Sequence, residues 1–94
     1  MDKSEAQNVL GEQLTRFGKY ADVVPLVETG HVENFETCGA SGKTYQVEVQ
    51  FFWDDKRKRN VRVFGSIDDG GIRAFVPLTQ TLLIFPSENV PPDA

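Results

Sequence analysis

Apolar and polar residues alternate most regularly in the middle of the chain. From Thr44 to Trp53 the apolar positions are Tyr45, Val47, Val49, Phe51 and Trp53. A period of two residues is typical of a β-strand with one buried face. The alternation resumes from Val61 to Ile67, after the polar segment 54–60. The two runs therefore predict a β-hairpin with a long charged tip.

The N-terminal segment has a helical period instead. Its apolar residues recur every three or four positions, at Ala6, Val9, Leu10, Leu14 and Phe17. This spacing predicts an amphipathic helix with one face toward a core. Ser4 and Gln7 have the spacing of a capping box, so we expect the helix to begin at Ser4. We expect Gly18 to end it, because glycine readily adopts the left-handed conformation that closes helices.

The segment from Tyr20 to Gly30 has no clear period. Four of its apolar residues surround Pro25, which lacks a backbone donor. We interpret this segment as a connector or an edge strand. The residues from His31 to Cys38 are expected to form a first strand, followed by a loop over 39–42.

A second hairpin is predicted at Asp69-Gly70, because this pair suits a two-residue type I′ turn. That turn would place Val63 opposite Val76 and Phe64 opposite Phe75. The apolar run from Thr79 to Phe85 predicts a last strand.

These elements together predict an α+β fold, with one N-terminal helix packed on an antiparallel β-meander of four to five strands. We expect the helix to cover the sheet face formed by Val47, Val49, Phe51, Val63 and Ile67. Residues 1–86 are expected to form a single domain, and the proline-containing residues 87–94 a flexible C-terminal tail.

The composition and charge of the chain indicate which cellular compartment and which partners to expect. The chain has 94 residues, one cysteine and a formal net charge of −4. A lone cysteine in so small a domain is typical of a reducing compartment, so we expect a cytoplasmic protein. The charged N-terminal residues are unlike a signal peptide, and no apolar run is long enough to span a bilayer. The negative charge disfavours nucleic acid and anionic lipid as partners.

Three groups of residues resemble known functional motifs, but the surrounding sequence does not fit those motifs. Ser41-Gly42-Lys43-Thr44 matches the end of a phosphate-binding loop, but Thr37 stands where that motif needs glycine, and a strand rather than a helix follows. Asp54-Asp55 and Asp68-Asp69 flank a strand and should lie at opposite sheet ends. His31 and Cys38 are too far apart along a strand to form a dyad, and Cys38 is expected to be a small buried residue. The sequence therefore predicts no catalytic, metal or cofactor-binding residues, and no enzyme.

Two surfaces remain as candidate binding sites. Phe52, Phe64 and Phe75 share outward parity and predict an aromatic patch on the second sheet face, which would bind a protein partner or a second copy in a homodimer. The alternative is that the C-terminal segment, through Leu83 and Phe85, covers this patch.

The other candidate is the basic hairpin tip, which would contact nucleic acid or an acidic partner. It comprises Lys56, Arg57, Lys58, Arg59 and Arg62. A solvated tip that deters aggregation is the competing interpretation. A third hypothesis is a small enzyme or ligand binder with a pocket between helix and sheet, lined by Tyr20, Tyr45 or Trp53.

Overall fold

The computed structural model describes residues 2–70 and 77–86. Its elements are α1 (Lys3–Thr15), α2 (Tyr20–Glu28), β1 (Val32–Cys38), β2 (Thr44–Asp55), β3 (Asn60–Asp68) and β4 (Leu78–Ile84). The strands form one antiparallel sheet in the order β1-β2-β3-β4. Both helices pack on the same sheet face. The predicted α+β class and meander are confirmed, with four strands in the described residues.

Helix α1 buries the predicted stripe but begins earlier than expected. Its N-cap is Asp2, whose Oδ1 accepts a hydrogen bond from the backbone N–H of Glu5 at 3.1 Å. The predicted start at Ser4 was wrong because aspartate caps as well as serine does, and Asp2 stands two residues earlier. The helix ends at Thr15, and Gly18 does not adopt a positive φ.

Helix α2 was not predicted, and the connector interpretation of its residues was wrong. The apolar residues around Pro25 have helical spacing, and Val23 is fully buried. Gly30, with φ 66°, closes the helix in a Schellman motif. In that motif the His31 N–H donates to the Leu26 carbonyl at 3.0 Å, and the Gly30 N–H donates to the Val27 carbonyl at 3.2 Å.

The register of the last strand pair differs from the prediction. Val63 lies opposite Leu82 rather than Val76, and Phe64 lies opposite Thr81. The partner is therefore displaced by six residues (82 − 76), because β4 and not a strand directly after Asp69-Gly70 pairs with β3. An even displacement keeps each side chain on its predicted face. Residues 71–76, which include Phe75 and Val76, lie outside the described residues.

The core lies between the helices and one sheet face, here called the inner face. Its members are Ala6, Val9, Leu10, Leu14, Val23, Tyr45, Val47, Val49, Phe51, Val61, Val63, Ile67 and Ile84. Gly65 on β3 is buried directly under α1, with Leu10 and Leu14 above it. This close approach requires the absence of a side chain at position 65.

Polar contacts fix the N-terminal half of α1 against the sheet. The Glu5 carboxylate accepts hydrogen bonds from the Ser41 hydroxyl at 2.7 Å, the Ser41 backbone N–H at 3.0 Å and the Tyr45 hydroxyl at 2.8 Å. These hydrogen bonds lower the pKa of Glu5, and the bond from the Ser41 hydroxyl has the largest effect. Burial, followed by the bond to Glu5, raises the pKa of Tyr45 to about 12. Farther along α1, the Gln80 side chain donates to the Gln7 carbonyl at 2.7 Å.

Candidate functional site: the open face of the sheet

The sheet face opposite the helices, here called the outer face, carries the exposed apolar residues of the described chain. Val32, Phe52 and Leu83 are exposed by 42%, 46% and 39% respectively. All three side chains have outward parity in β1, β2 and β4. The helices pack on the inner face, and each of these three side chains keeps more than a third of its surface exposed.

Strand register gathers the apolar residues at one end of the outer face. Val32, Gln50, Phe64 and Thr81 form one row across the four strands, and Phe52, Arg62 and Leu83 form the next. We call Val32, Phe52, Phe64 and Leu83 the apolar end. A shallow depression of about 390 Å³ lies here, lined by Gln50, Phe52, Trp53, Asp54, Arg62 and Phe64.

The structure brings together two of the three phenylalanines of the predicted patch. Phe52 and Phe64 lie in adjacent rows on neighbouring strands, with Phe64 half-buried. Phe75 lies outside the described residues. Leu83 does not fold over the patch, because it belongs to β4 and extends the same surface sideways. The predicted patch did not include Val32 and Leu83. The only signal for them in the sequence was the strand parity that places their side chains on the outer face.

The hairpin tip beside the apolar end is held in a defined shape. The Asp55 carboxylate accepts hydrogen bonds from the backbone N–H groups of Arg57 at 3.0 Å and Lys58 at 3.2 Å. Arg59 has φ 63°, and its carbonyl accepts a hydrogen bond from the Tyr20 hydroxyl at 2.7 Å. These contacts join the tip to α2 and fix the conformation of its backbone.

The five predicted basic residues divide into two groups. The Arg59 guanidinium stacks over the Trp53 ring at 4.1 Å, and the Arg62 Nε donates to Asp54 at 3.0 Å. The other three side chains are exposed and form no ion pair within the described part of the chain. We call Lys56, Arg57 and Lys58 the basic tip.

Carboxylates gather at the other end of the outer face, around Gln46. Glu36 and Asp68 flank Gln46 in one row, and Glu48 lies in the next row on β2. Neutral groups donate hydrogen bonds to two of these carboxylates. The Gln46 side chain donates to Glu36 at 2.8 Å, and the Gly70 N–H donates to Asp68 at 2.8 Å. Among residues 2–70 and 77–86, none of these carboxylates forms an ion pair. We call Glu36, Glu48 and Asp68 the acidic end.

The rejected motifs have the placements expected of them, with one exception. Ser41-Gly42-Lys43-Thr44 closes the β1–β2 hairpin, with Gly42 at φ 88° and Thr44 opening β2. The two aspartate pairs lie at opposite ends of β3. His31 precedes β1 and Cys38 ends it, so the two residues lie at opposite ends of the strand. Cys38 is exposed rather than buried, because it ends an edge strand with outward parity.

The aromatic residues suggested for a helix–sheet pocket lie apart. Tyr45 donates to Glu5 near the start of β2, whereas Tyr20 and Trp53 contact Arg59 at the opposite end of the sheet. Within the described ranges, no group of three or more histidine, cysteine, aspartate or glutamate residues is placed to hold a metal ion. Neither described helix has the length and apolarity to cross a membrane.

Comparison with known proteins adds no relative to this description. No protein-family model, curated protein or solved structure matches the chain.

Proposed function

We propose that this protein is a protein-binding or regulatory module whose contact surface is the apolar end of the outer face. One observation supports this above the others: the three exposed large apolar side chains of the described residues converge there. Contiguous apolar surface of this kind usually marks a contact site, because leaving it in water costs free energy that a partner recovers.

The surroundings of the apolar end fit a binding role. Polar and charged groups, among them Gln50, Arg62 and Asp54, border Phe52 and Phe64. An apolar centre with a polar rim is the usual anatomy of a protein interface. A non-enzymatic role is supported by the separation of His31 and Cys38 along β1. A reducing compartment such as the cytoplasm suits the exposed thiol of Cys38.

Site-specific crosslinking tests the proposal. A photoreactive phenylalanine analogue is placed at Phe52 in the cell that makes the protein, with a control at Glu12, which is exposed on α1. We expect a discrete protein adduct from position 52 and none from position 12. The adduct partner is then identified, purified and titrated against wild type, Phe52→Ser and Glu12→Ser. Absence of an adduct at position 52, or equal affinity of the three chains, would reject the proposal.

A second candidate function is binding of nucleic acid or an acidic partner through the basic tip. The cations of Lys56, Arg57 and Lys58 favour it, because they are exposed and form no ion pair with residues 2–70 or 77–86. Binding of this kind must weaken steeply as salt rises, because it releases counterions. Fluorescence polarisation with labelled DNA and RNA at low and physiological salt tests this candidate. The triple alanine variant of the tip serves as the comparison, and no binding at low salt rejects it.

A further inference from the structure

Charge and apolarity are ordered along the strands of the outer face. The apolar end lies between the basic tip and the acidic end. On β2 and the loop after it, Gln46 and Lys56 lie five residues on either side of Phe51 (51 − 46 and 56 − 51). At about 3.4 Å per residue, Gln46 is about 17 Å from Phe51 along the strand direction, and Lys56 follows Asp55, the last residue of β2, on the other side. The face is therefore complementary to itself when turned end for end.

Stacking two copies face to face shows what this order permits. Consider a two-fold axis that runs between the two sheets, parallel to them, and crosses the strands at right angles over Phe51. Gln50 of one copy then lies over Phe52 of the other. The two rows that carry the apolar ends then lie over each other, with Phe64 over Arg62 and Leu83 over Thr81, so apolar and polar side chains alternate across the contact. Lys56 of each copy lies over Gln46 of the other, which Glu36 and Asp68 flank. A two-fold axis parallel to the strands would instead place each basic tip over its counterpart, which like charges disfavour.

We propose that the occupant of the apolar end is a second copy of this chain, stacked antiparallel so that each basic tip meets the acidic end of its partner. This proposal rests on the proposed function and names the partner for the same surface. A C2 dimer requires one self-complementary patch, and the charge order of this face meets that requirement.

The available area reaches the size at which specific interfaces begin. From the row of Gln46 to the end of β2, the face is made of 10 residues of β2, 9 of β3, 7 of β4 and 5 of β1. At about 3.4 Å by 4.8 Å per residue they cover about 500 Å² per copy, or about 1,000 Å² in total. A specific interface should bury at least about 1,000 Å².

Other features favour a second copy over an extended polyanion. Nucleic acid or an anionic membrane lying along the outer face would meet Glu36, Glu48 and Asp68, and the chain carries a net charge of −4. Within the described residues, the stack brings Asp54 of each copy over Glu48 of the other, a like-charge approach that the two-fold axis repeats. Arg62 already pairs with Asp54, which reduces that repulsion.

Charge reversal with complementation tests the proposal. The first variant combines Lys56→Glu with Lys58→Glu, and the second combines Glu36→Lys with Gln46→Lys. All four positions are exposed, and circular dichroism and thermal melting check that each variant is folded. Sedimentation equilibrium measures association of wild type, of each variant alone and of their equimolar mixture, at low and high salt.

The proposal expects a wild-type dimer, and dimerisation weakened at least about tenfold in each variant, in line with the coupling of close charge pairs across interfaces. The equimolar mixture should recover a heterodimer, because each tip then meets an opposite charge. A monomeric wild type, unchanged dimerisation in the variants, or a mixture that stays monomeric would each overturn it. Binding of the monomer to phosphatidylserine vesicles or to an oligonucleotide would also overturn it, in favour of that occupant.

The same measurements separate this inference from the proposed function. A chain that is monomeric in sedimentation, yet forms a specific adduct with a different protein from Phe52, would exclude the dimer and retain the binding role. Absence of both self-association and adduct would remove both.

Discussion

Replacing Gly65 by alanine introduces a methyl group where α1 crosses β3. An ideal Cβ at this position would lie 2.8 Å from Leu14 Cδ2 and 2.9 Å from Leu10 Cδ1. Ordinary contacts between carbon atoms begin near 3.5 Å, so both leucine side chains would have to move by more than half an ångström. Leu10 and Leu14 are exposed by 0% and 3%, and little free space exists in a close-packed core for that movement.

The expected effect follows from two opposing contributions. Overpacking a core by a methyl group costs about 1 to 3 kcal/mol. Alanine recovers about 0.5 to 1 kcal/mol, because glycine loses more backbone entropy on folding in a strand. Gly65→Ala should therefore destabilise the fold by up to about 2.5 kcal/mol, which for a domain of this size lowers Tm by up to about 20 °C.

Urea unfolding followed by Trp53 fluorescence and circular dichroism measures the effect. Gly11→Ala is the matched control, because its Cβ would meet only Gln80 Oε1 at 3.4 Å within a helix. There alanine should stabilise by about 0.5 to 1 kcal/mol. The double variant of Gly65→Ala with Leu14→Ala should lose at least about 0.5 kcal/mol less than the sum of the single variants, since the new methyl group occupies vacated space. Stabilisation by Gly65→Ala, or strict additivity, would refute the packing argument.

Four further predictions concern the contacts that hold the fold. Because the pKa of Tyr45 is raised to about 12 in the folded chain, its stabilising contribution is complete below pH 10 and lost as pH rises toward 12. Urea titrations should show a smaller alkaline loss in Tyr45→Phe, and equal losses would contradict this. The lowered pKa of Glu5 acts in the opposite direction, so Glu5→Gln should reduce the loss of stability as pH falls below 4.5; an unchanged acid limb would count against it. Pro25→Ala should stabilise the chain by about 1 to 2 kcal/mol, because it restores a helical N–H at an exposed position; a lower Tm would argue otherwise. Arg59→Gly should be about 1 kcal/mol more stable than Arg59→Ala, because residue 59 has a φ of 63°, which glycine adopts more easily than alanine. Both variants should change Trp53 emission, because both remove the stacked guanidinium. Equal stabilities of the two variants would contradict the argument from φ.

The strand pattern in the centre of the chain could be predicted because burial alternates there with the pleat. Tyr45 to Phe51 on β2 and Val61 to Ile67 on β3 show this directly. The pairing of β3 with β4 could not be predicted in the same way. Asp69-Gly70 has a strong local turn preference, but the pairing of Val63 with Leu82 is decided by contacts across the sheet, which the local sequence does not reveal.

Helix α2 was missed because Pro25 outweighed the spacing of its neighbours. A proline costs one helical hydrogen bond, and burial of Val23 together with the cap at Gly30 compensates for this loss. Gly30 was the available signal, since a glycine after an apolar run is a common helix stop.

The candidate site was only partly accessible from the sequence. Phe52 and Phe64 could be assigned to the outer face because an even change of register leaves parity intact. Leu83 joins them only because β4 lies directly beside β3, and this neighbour relation depends on the tertiary fold.

The contact between Gln7 and Gln80 joins parts of the chain that the ribosome makes far apart in time. Helix α1 packs mainly on β3 and β4, so it emerges first and must wait for its docking surface until nearly all of the described chain has been synthesised. Until then its apolar stripe stays open to other partners, including chaperones. A nascent chain arrested before β4 should therefore remain sensitive to protease within α1, whereas one extended past it should not.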